Sequence, residues 1–177
     1  SPTDVLPILA EVAERAAKLC DAVDSRIFLV DGDVLRFSTG SGPLPSALVG
    51  ESRPVDRRWI TGRAVMDGKP LHIEDLAAAS QDEYPLSLEI QQRFGHRTTL
   101  VVPLMRENQA LGCILLRRMV VKPFTDKQVA LVTTFAEPLL YLFSFGFGLG
   151  AMIGNVSVSG VELTYRQFIF AGIVAQT

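Results

Sequence analysis

Two histidines, two cysteines and a single tryptophan bound the chemistry open to this 177-residue chain. His72 and His96 could bracket a pocket as heme or metal ligands, since a neutral imidazole presents one lone pair to a cation. The ordinary alternative is a pair of hydrogen-bonded strand and loop histidines, and with no carboxylates at their sides no metal is assigned. Trp59, Tyr84, Phe94 and Arg97 could line a small-molecule pocket, with Arg97 reaching an anionic group, or the aromatics could simply pack. Asp75, after Glu74 at the end of a short strand, could hold a cation or a ligand hydroxyl, against a capping or solvated role. With Phe37, His72 and Thr99 these make the candidate ligand contacts: Phe37, Trp59, His72, Asp75, Tyr84, Phe94, Arg97 and Thr99. Cys113, in Leu-Gly-Cys-Ile-Leu, reads as an inert core thiol rather than a redox sensor. Cys20 sits in a similar apolar setting, and neither has a second cysteine or a histidine at metal spacing. Arg117-Arg118 reads as a solvated strand edge. There is no Ser, His and Asp set in a nucleophile-elbow context, no phosphate-cradling glycine loop and no carboxylate pair between apolar walls. No catalytic residue is assigned, no enzyme is expected, and the cofactor is left unknown.

The bulk numbers narrow the partners. The net charge is -2, with 17 basic residues scattered among 19 acidic ones, so there is no basic stripe for a nucleic-acid backbone. The length suits one full core plus an appendage. The cysteine usage fits a reducing, cytoplasmic setting for residues 1–137, and a start at Ser without a leader pattern reads as a piece of a longer protein.

Positioning the candidate residues requires the following elements. Ser1-Pro2-Thr3-Asp4 reads as a capping box, and Val5, Ile8, Leu9, Val12, Ala16, Leu19 and Cys20 recur at helical spacing. Residues 26–30 and 34–38 read as a hairpin about Asp31-Gly32-Asp33. Residues 45–49 suit a short helix. A second short helix runs from Trp59 and is closed by Gly68 and Pro70, followed by the strand Leu71-His72-Ile73. Residues 75–84 read as loop, and 86–94 as a helix ending at Gly95. A second hairpin joins 98–104 to 111–117. Thr125 and Gln128 form a capping box for a last helix, which Pro138 should end or kink. The order implies an α+β fold, a central antiparallel sheet of about five to six strands flanked by helices, with an apolar C-terminal appendage.

Four stretches, in order, resemble the GAF domain family. They are Ile60-Thr61-Gly62-Arg63-Ala64-Val65 with Gly68-Lys69-Pro70-Leu71-His72-Ile73-Glu74-Asp75; Thr99-Leu100-Val101-Val102-Pro103-Leu104; Ala110-Leu111-Gly112-Cys113-Ile114; and Pro123-Phe124-Thr125-Asp126-Lys127-Gln128. The likeness is nearest to modules that precede bacterial histidine kinases or nucleotide cyclases. It implies a sensory domain over 1–137 with a small-ligand pocket between the sheet and the loops near 59–94. It also implies a homodimer through the first and last helices, and an output domain in a larger signalling protein. The cyclic-nucleotide signature of some relatives is absent, and neither cysteine stands where photoreceptor relatives attach a bilin. The alternatives are a ligand-free dimerisation domain or, if the C-terminal tail names the chain, a fragment of an ABC-type export permease.

Residues 138–177 depart from that pattern. No charged residue occurs between Glu137 and Glu162, and 139–161 are apolar enough for much of a membrane span. Glu137-Pro138-Leu139-Leu140-Tyr141-Leu142-Phe143, Gly146, Gly148, Gly150, Tyr165-Arg166-Gln167-Phe168 and Ala171-Gly172-Ile173-Val174 resemble the first membrane segment of the permease subunits of ABC-type exporters. Three readings stand: a foreign fusion, a membrane anchor that associates the chain with a bilayer, or a buried hairpin of the domain.

Overall fold

The computed structural model of the chain describes residues 2–44, 51–144, 155–158 and 161–164. The elements run α1 (Pro2–Leu19), β1 (Asp24–Asp31), β2 (Val34–Ser41), β3 (Ser52–Pro54), α2 (Ile60–Asp67), β4 (Leu71–Ile73), a 3-10 turn (Leu76–Ala78), α3 (Pro85–Phe94), β5 (Thr99–Arg106), β6 (Gln109–Arg117) and α4 (Asp126–Ser144). Six strands form one antiparallel sheet in the order β3-β2-β1-β6-β5-β4. This is the α+β architecture expected.

Both faces of the sheet are covered, and the parity of side chains along each strand decides which core a residue joins. Ile27, Leu100, Val102, Leu104, Ile114 and Leu116 meet Leu9, Val12, Ala13 and Ala16 of α1 and Val132 of α4. Phe28, Leu35, Phe37, Val101, Cys113 and Leu115 face the other way, toward Ile60 and Ala64 of α2 and Leu88 of α3. Two-sided burial explains why Leu100-Val101-Val102 is a continuous apolar run and not an alternating one. In α1 from Ile8 to Ala17 and in α4 up to Ala136, the buried apolar side chains of both helices pack on the chain's own sheet.

Local chemistry fixes the ends of these elements. Gly68 and Gly95 close α2 and α3 at φ 61° and 76°, returning their N–H groups to the carbonyls of Ala64 and Gln91. Gly32, at φ +63°, turns the first hairpin. The Thr125 and Gln128 box is reciprocal: Gln128 N donates to Thr125 Oγ1 at 3.1 Å and Thr125 N to Gln128 Oε1 at 2.9 Å. Three expectations change. α4 continues past Pro138 to Ser144, since a proline removes one donor without dissolving the rest of the ladder. The 75–84 loop contains a 3-10 turn capped by Asp75. β3 was not expected at all. Ser1 and the 45–49 helix lie outside the described residues.

The membrane expectation over 139–161 is corrected, and with it the permease likeness of the tail, its bilayer partner and its membrane association. Among the described residues no helix is long and apolar enough to cross a membrane. A span needs about 20 consecutive apolar helical residues. Here the start of the run is the end of α4, whose 19 residues include Asp126, Lys127 and Glu137. Further on, β7 (Asn155–Val158) and β8 (Val161–Thr164) pair as an antiparallel hairpin carrying Asn155, Glu162 and Thr164. Residues 145–154 and 165–177, with the remaining motifs of that resemblance, lie outside the described residues.

Candidate functional site

Toward one end of β1 and β6, the sheet face beneath α2 and α3 turns from apolar to charged. Cross-strand register sets Phe28 opposite Cys113, Arg26 opposite Leu115 and Asp24 opposite Arg117. Paired residues share a face, so Asp24, Arg26 and Arg117 all point to the side of Phe28 and Leu115. A pocket of about 380 Å³ opens over them. Its walls are Glu51 with Ser52 and Arg53 of β3, Trp59 with Ile60 and Thr61 of α2, Ser87, Ile90, Arg93 and Phe94 on α3, and His96 just beyond.

The floor of the pocket is an ion cluster. Asp24 is fully buried and accepts two hydrogen bonds from Arg117, from Nε at 2.8 Å and Nη2 at 2.5 Å, with Arg26 Nη2 at 3.1 Å from the same carboxylate. Arg26 also donates to the carbonyl of Leu44 at 2.5 Å, and burial holds its pKa below the ordinary guanidinium value. Arg53 stands differently. Its guanidinium lies between the rings of Phe28 and Trp59, 4.5 Å from each centroid, and no carboxylate among the described residues is within ion-pair distance. Burial lowers its pKa as well.

Several polar atoms around this cavity have no partner among the described residues: Thr61 Oγ1, Trp59 Nε1, Arg26 Nε and His96 Nδ1. His96 is 2 % exposed, and burial, with Arg117 adding to it, pushes its pKa down to about 4, so the imidazole is neutral at pH 7. The first turn of α2 brings its positive end to the same place. Trp59, at the N-cap, makes no side-chain cap, the first turn holds no acidic residue, and Ile60 N donates to Ser87 Oγ at 2.9 Å. Gly62 lets this turn sit down, because a Cβ there would lie 2.1 Å from the carbonyl oxygen of Asp56.

Of the candidate contacts, Trp59 and Phe94 line the pocket and six others do not. Phe37 lies one layer back, edge-on to Phe28 at 5.7 Å and under Arg26. Thr99 is buried opposite Arg117 on β5. Tyr84 packs beneath Arg63, 4.4 Å from its ring. Asp75 and Arg97 hold each other at 2.7 and 2.6 Å, Arg97 keeping the Asp75 carboxyl below its usual range, while Asp75 also accepts from Ala77 N. Arg97 is therefore already engaged. His72 Nε2 accepts the Phe124 N–H at 3.1 Å and its ring lies edge-on to Phe124. Only His96 of the two histidines reaches the cavity, and the described residues hold no His, Cys, Asp and Glu group that could bind a metal ion.

The residues the sequence reading missed are Arg26, Arg53, Thr61 and Arg117. Arg117 and Arg118 are 4 % and 3 % exposed, so the solvated edge is corrected. The period-two patterns Asp24-Arg26-Phe28 and Cys113-Leu115-Arg117 are the signal that could have found the first and last of them. Both thiols are fully buried, and burial raises Cys20 to about 11 and Cys113 to about 12.

The GAF domain family matches residues 4–139. The fold is similar to the GAF domain of a phosphoenolpyruvate-protein phosphotransferase from Coxiella burnetii, with a TM-score of 0.70 and 18% identity over 83% of this chain and 86% of that one. It is similar to the GAF-B domain of DevS from Mycobacterium smegmatis, with a TM-score of 0.65 and 19% identity over 86% and 99%. A free methionine-R-sulfoxide reductase from Neisseria meningitidis in complex with its substrate shares the fold at a TM-score of 0.63 and 22% identity, over 77% and 76%. At these identities the likeness is one of fold. A 40-residue stretch, 23% of the chain, is 50% identical to Nodulation protein J of Rhizobium leguminosarum bv. trifolii, and spans 14% of that protein's length.

Proposed function

Because the chain belongs to the GAF domain family, we propose that it is a non-catalytic regulatory module that holds a small ligand in the pocket beneath α2 and α3 and works within a larger signalling protein. The sensory role is assigned to residues 1–137, with 138–177 as an appendage. One observation carries the reading: a cavity of about 380 Å³ whose lining sets Trp59, Ile90, Phe94 and Leu115 beside the guanidiniums of Arg26, Arg53 and Arg117. Of the candidate contacts, Trp59 and Phe94 are retained as ligand contacts, and Arg53, Thr61, His96 and Arg117 are added.

A reductase reading, suggested by the sulfoxide reductase of like fold, is weaker. Thiol chemistry runs through an accessible thiolate, and the two thiols here are buried, with pKa values raised to about 11 and 12. The regulatory reading is tested by the emission of Trp59, the chain's single tryptophan, which lines the pocket. Titration with a broad panel of metabolites should find compounds that shift this emission saturably and raise the melting temperature, and Ile90→Phe, which narrows the cavity, should weaken them. Emission and melting that no compound moves would refute the reading.

A further inference from the structure

We propose that the pocket takes a small organic monocarboxylate, its head on the free edge of Arg53 and its apolar body against Ile90, Phe94 and Leu115. This rests on the reading of the pocket as a ligand site and goes further by naming the ligand's chemistry.

Charge is the first argument. Four guanidiniums face the cavity, from Arg26, Arg53, Arg93 and Arg117, against the carboxylates of Glu51 at its wall and Asp24 beneath it. Asp24 offsets one charge of the pair Arg117 and Arg26, and Glu51, whose charge acts on Arg53, offsets one more, so four guanidiniums against two carboxylates leave an excess of positive charge. A cationic ligand would meet this excess with repulsion. An anion would neutralise it where water is partly excluded and the attraction is strongest.

Shape is the second. Arg53 is held within 4.5 Å of the ring centroids of both Phe28 and Trp59, and a guanidinium's donors lie in its plane, in the fork that a carboxylate accepts two at a time. The first turn of α2, whose Ile60 N–H is taken by Ser87 Oγ, borders the same cavity through Ile60 and Thr61, and a helix N-terminus favours negative charge.

The third argument sets the charge and the body. His96 is neutral, so it offers a hydrogen bond and adds no cation to those of Arg26, Arg53 and Arg117. Arg93 is exposed on α3 and Glu51 opposes a dianion. With Arg93 solvated, the guanidiniums of Arg26, Arg53 and Arg117 against the carboxylates of Asp24 and Glu51 leave one positive charge for a ligand to balance. A volume of about 380 Å³ and a wall of Ile90, Phe94 and Leu115 suit a compact ligand with an apolar end.

The test titrates the full chain with benzoate, benzamide, benzylamine and inorganic phosphate, reading Trp59 emission. Benzoate should give a saturable change, with benzamide and benzylamine weaker by roughly tenfold or more. Arg53→Gln should weaken benzoate by about the same factor and leave benzamide unmoved, with Arg53→Lys between. Should Arg53→Gln fail to fold, Thr61→Val decides with the same probes: benzoate weakened severalfold and benzamide unchanged. Benzamide or benzylamine binding as well as benzoate, phosphate binding more tightly, or a benzoate response indifferent to both variants overturns the carboxylate. If no probe moves Trp59 the carboxylate also falls. The pocket reading then stands or falls separately, on whether any neutral or cationic metabolite shifts the emission.

Discussion

Asp24→Asn should destabilise the chain far more than its near-identical shape suggests. The carboxylate is fully buried and sits between two guanidiniums that are themselves almost completely buried. Asparagine keeps one acceptor oxygen and replaces the other with an NH2 donor, which would face the donors of Arg117 or Arg26. It also strips both cations of their counter-charge where they are almost completely buried. Breaking a buried pair from one side typically costs about 3–5 kcal/mol, against a total of about 5–15 kcal/mol for a domain. For a chain of this size that corresponds to a melting point lower by roughly 6–20 °C. Urea unfolding at pH 7 measures it directly. The triple variant Asp24→Leu, Arg26→Leu and Arg117→Leu should recover a large part of the loss, because all three charges leave together. A loss below about 1 kcal/mol for Asp24→Asn would refute the description of the cluster as an ion pair held in a dry floor.

Two further outcomes follow from the same burial. His96 has a folded pKa of about 4 against an ordinary 6.5, so as pH falls the unfolded chain takes up the proton first. Stability should be full above about pH 6.5, decline between 6.5 and 4 by up to about 3 kcal/mol, and level off below 4. Urea titrations of the parent and His96→Gln across that window check it, and parallel curves would contradict it. Cys20 and Cys113, buried and shifted to about 11 and 12, should resist a thiol reagent at pH 8 in the native chain and both react once it is denatured. Fast labelling of either native thiol would contradict their placement.

What could be read from the sequence follows physical range. β1, β5, β6 and the helices were legible because burial writes a period into consecutive residues, and the Gly68, Gly95 and Thr125 caps are local chemistry. β3 was not, since Ser52-Arg53-Pro54 has no strand pattern of its own and is held by pairing with Val34 to Arg36. Trp59 and Phe94 were found because aromatics beside a sheet stand out. Arg117 was misread because its partner Asp24 lies 93 residues away, and nothing in Arg117-Arg118 distinguishes a buried arginine from a solvated one. Arg97 misled for the opposite reason: a free-looking cation was already paired to Asp75. In the tail, an apolar composition could not say that its first part continues a helix that opens with Asp126 and Lys127.

The cluster beneath the pocket also bears on how the two sides of the sheet are joined. A buried ion pair contributes little net stability relative to well-packed apolar groups of the same volume, so fold stability alone does not account for Asp24, Arg26 and Arg117. What the pair does supply is a fixed direction: two hydrogen bonds hold the Arg117 plane where a lysine would be free to swing. The next residue is fixed as firmly on the other side. Arg118 lies 4.0 Å from the Phe124 ring centroid and donates to the carbonyls of Cys20, Asp21, Lys122 and Pro123 and to Gln128 Oε1. These acceptors mark where α1 ends and α4 begins. Successive residues of one chain thus carry the pocket floor and the joint between the two helices. The two sides of the domain are therefore connected there by a peptide bond whose neighbouring side chains are both held by several hydrogen bonds, a stiffer link than packing between separate elements.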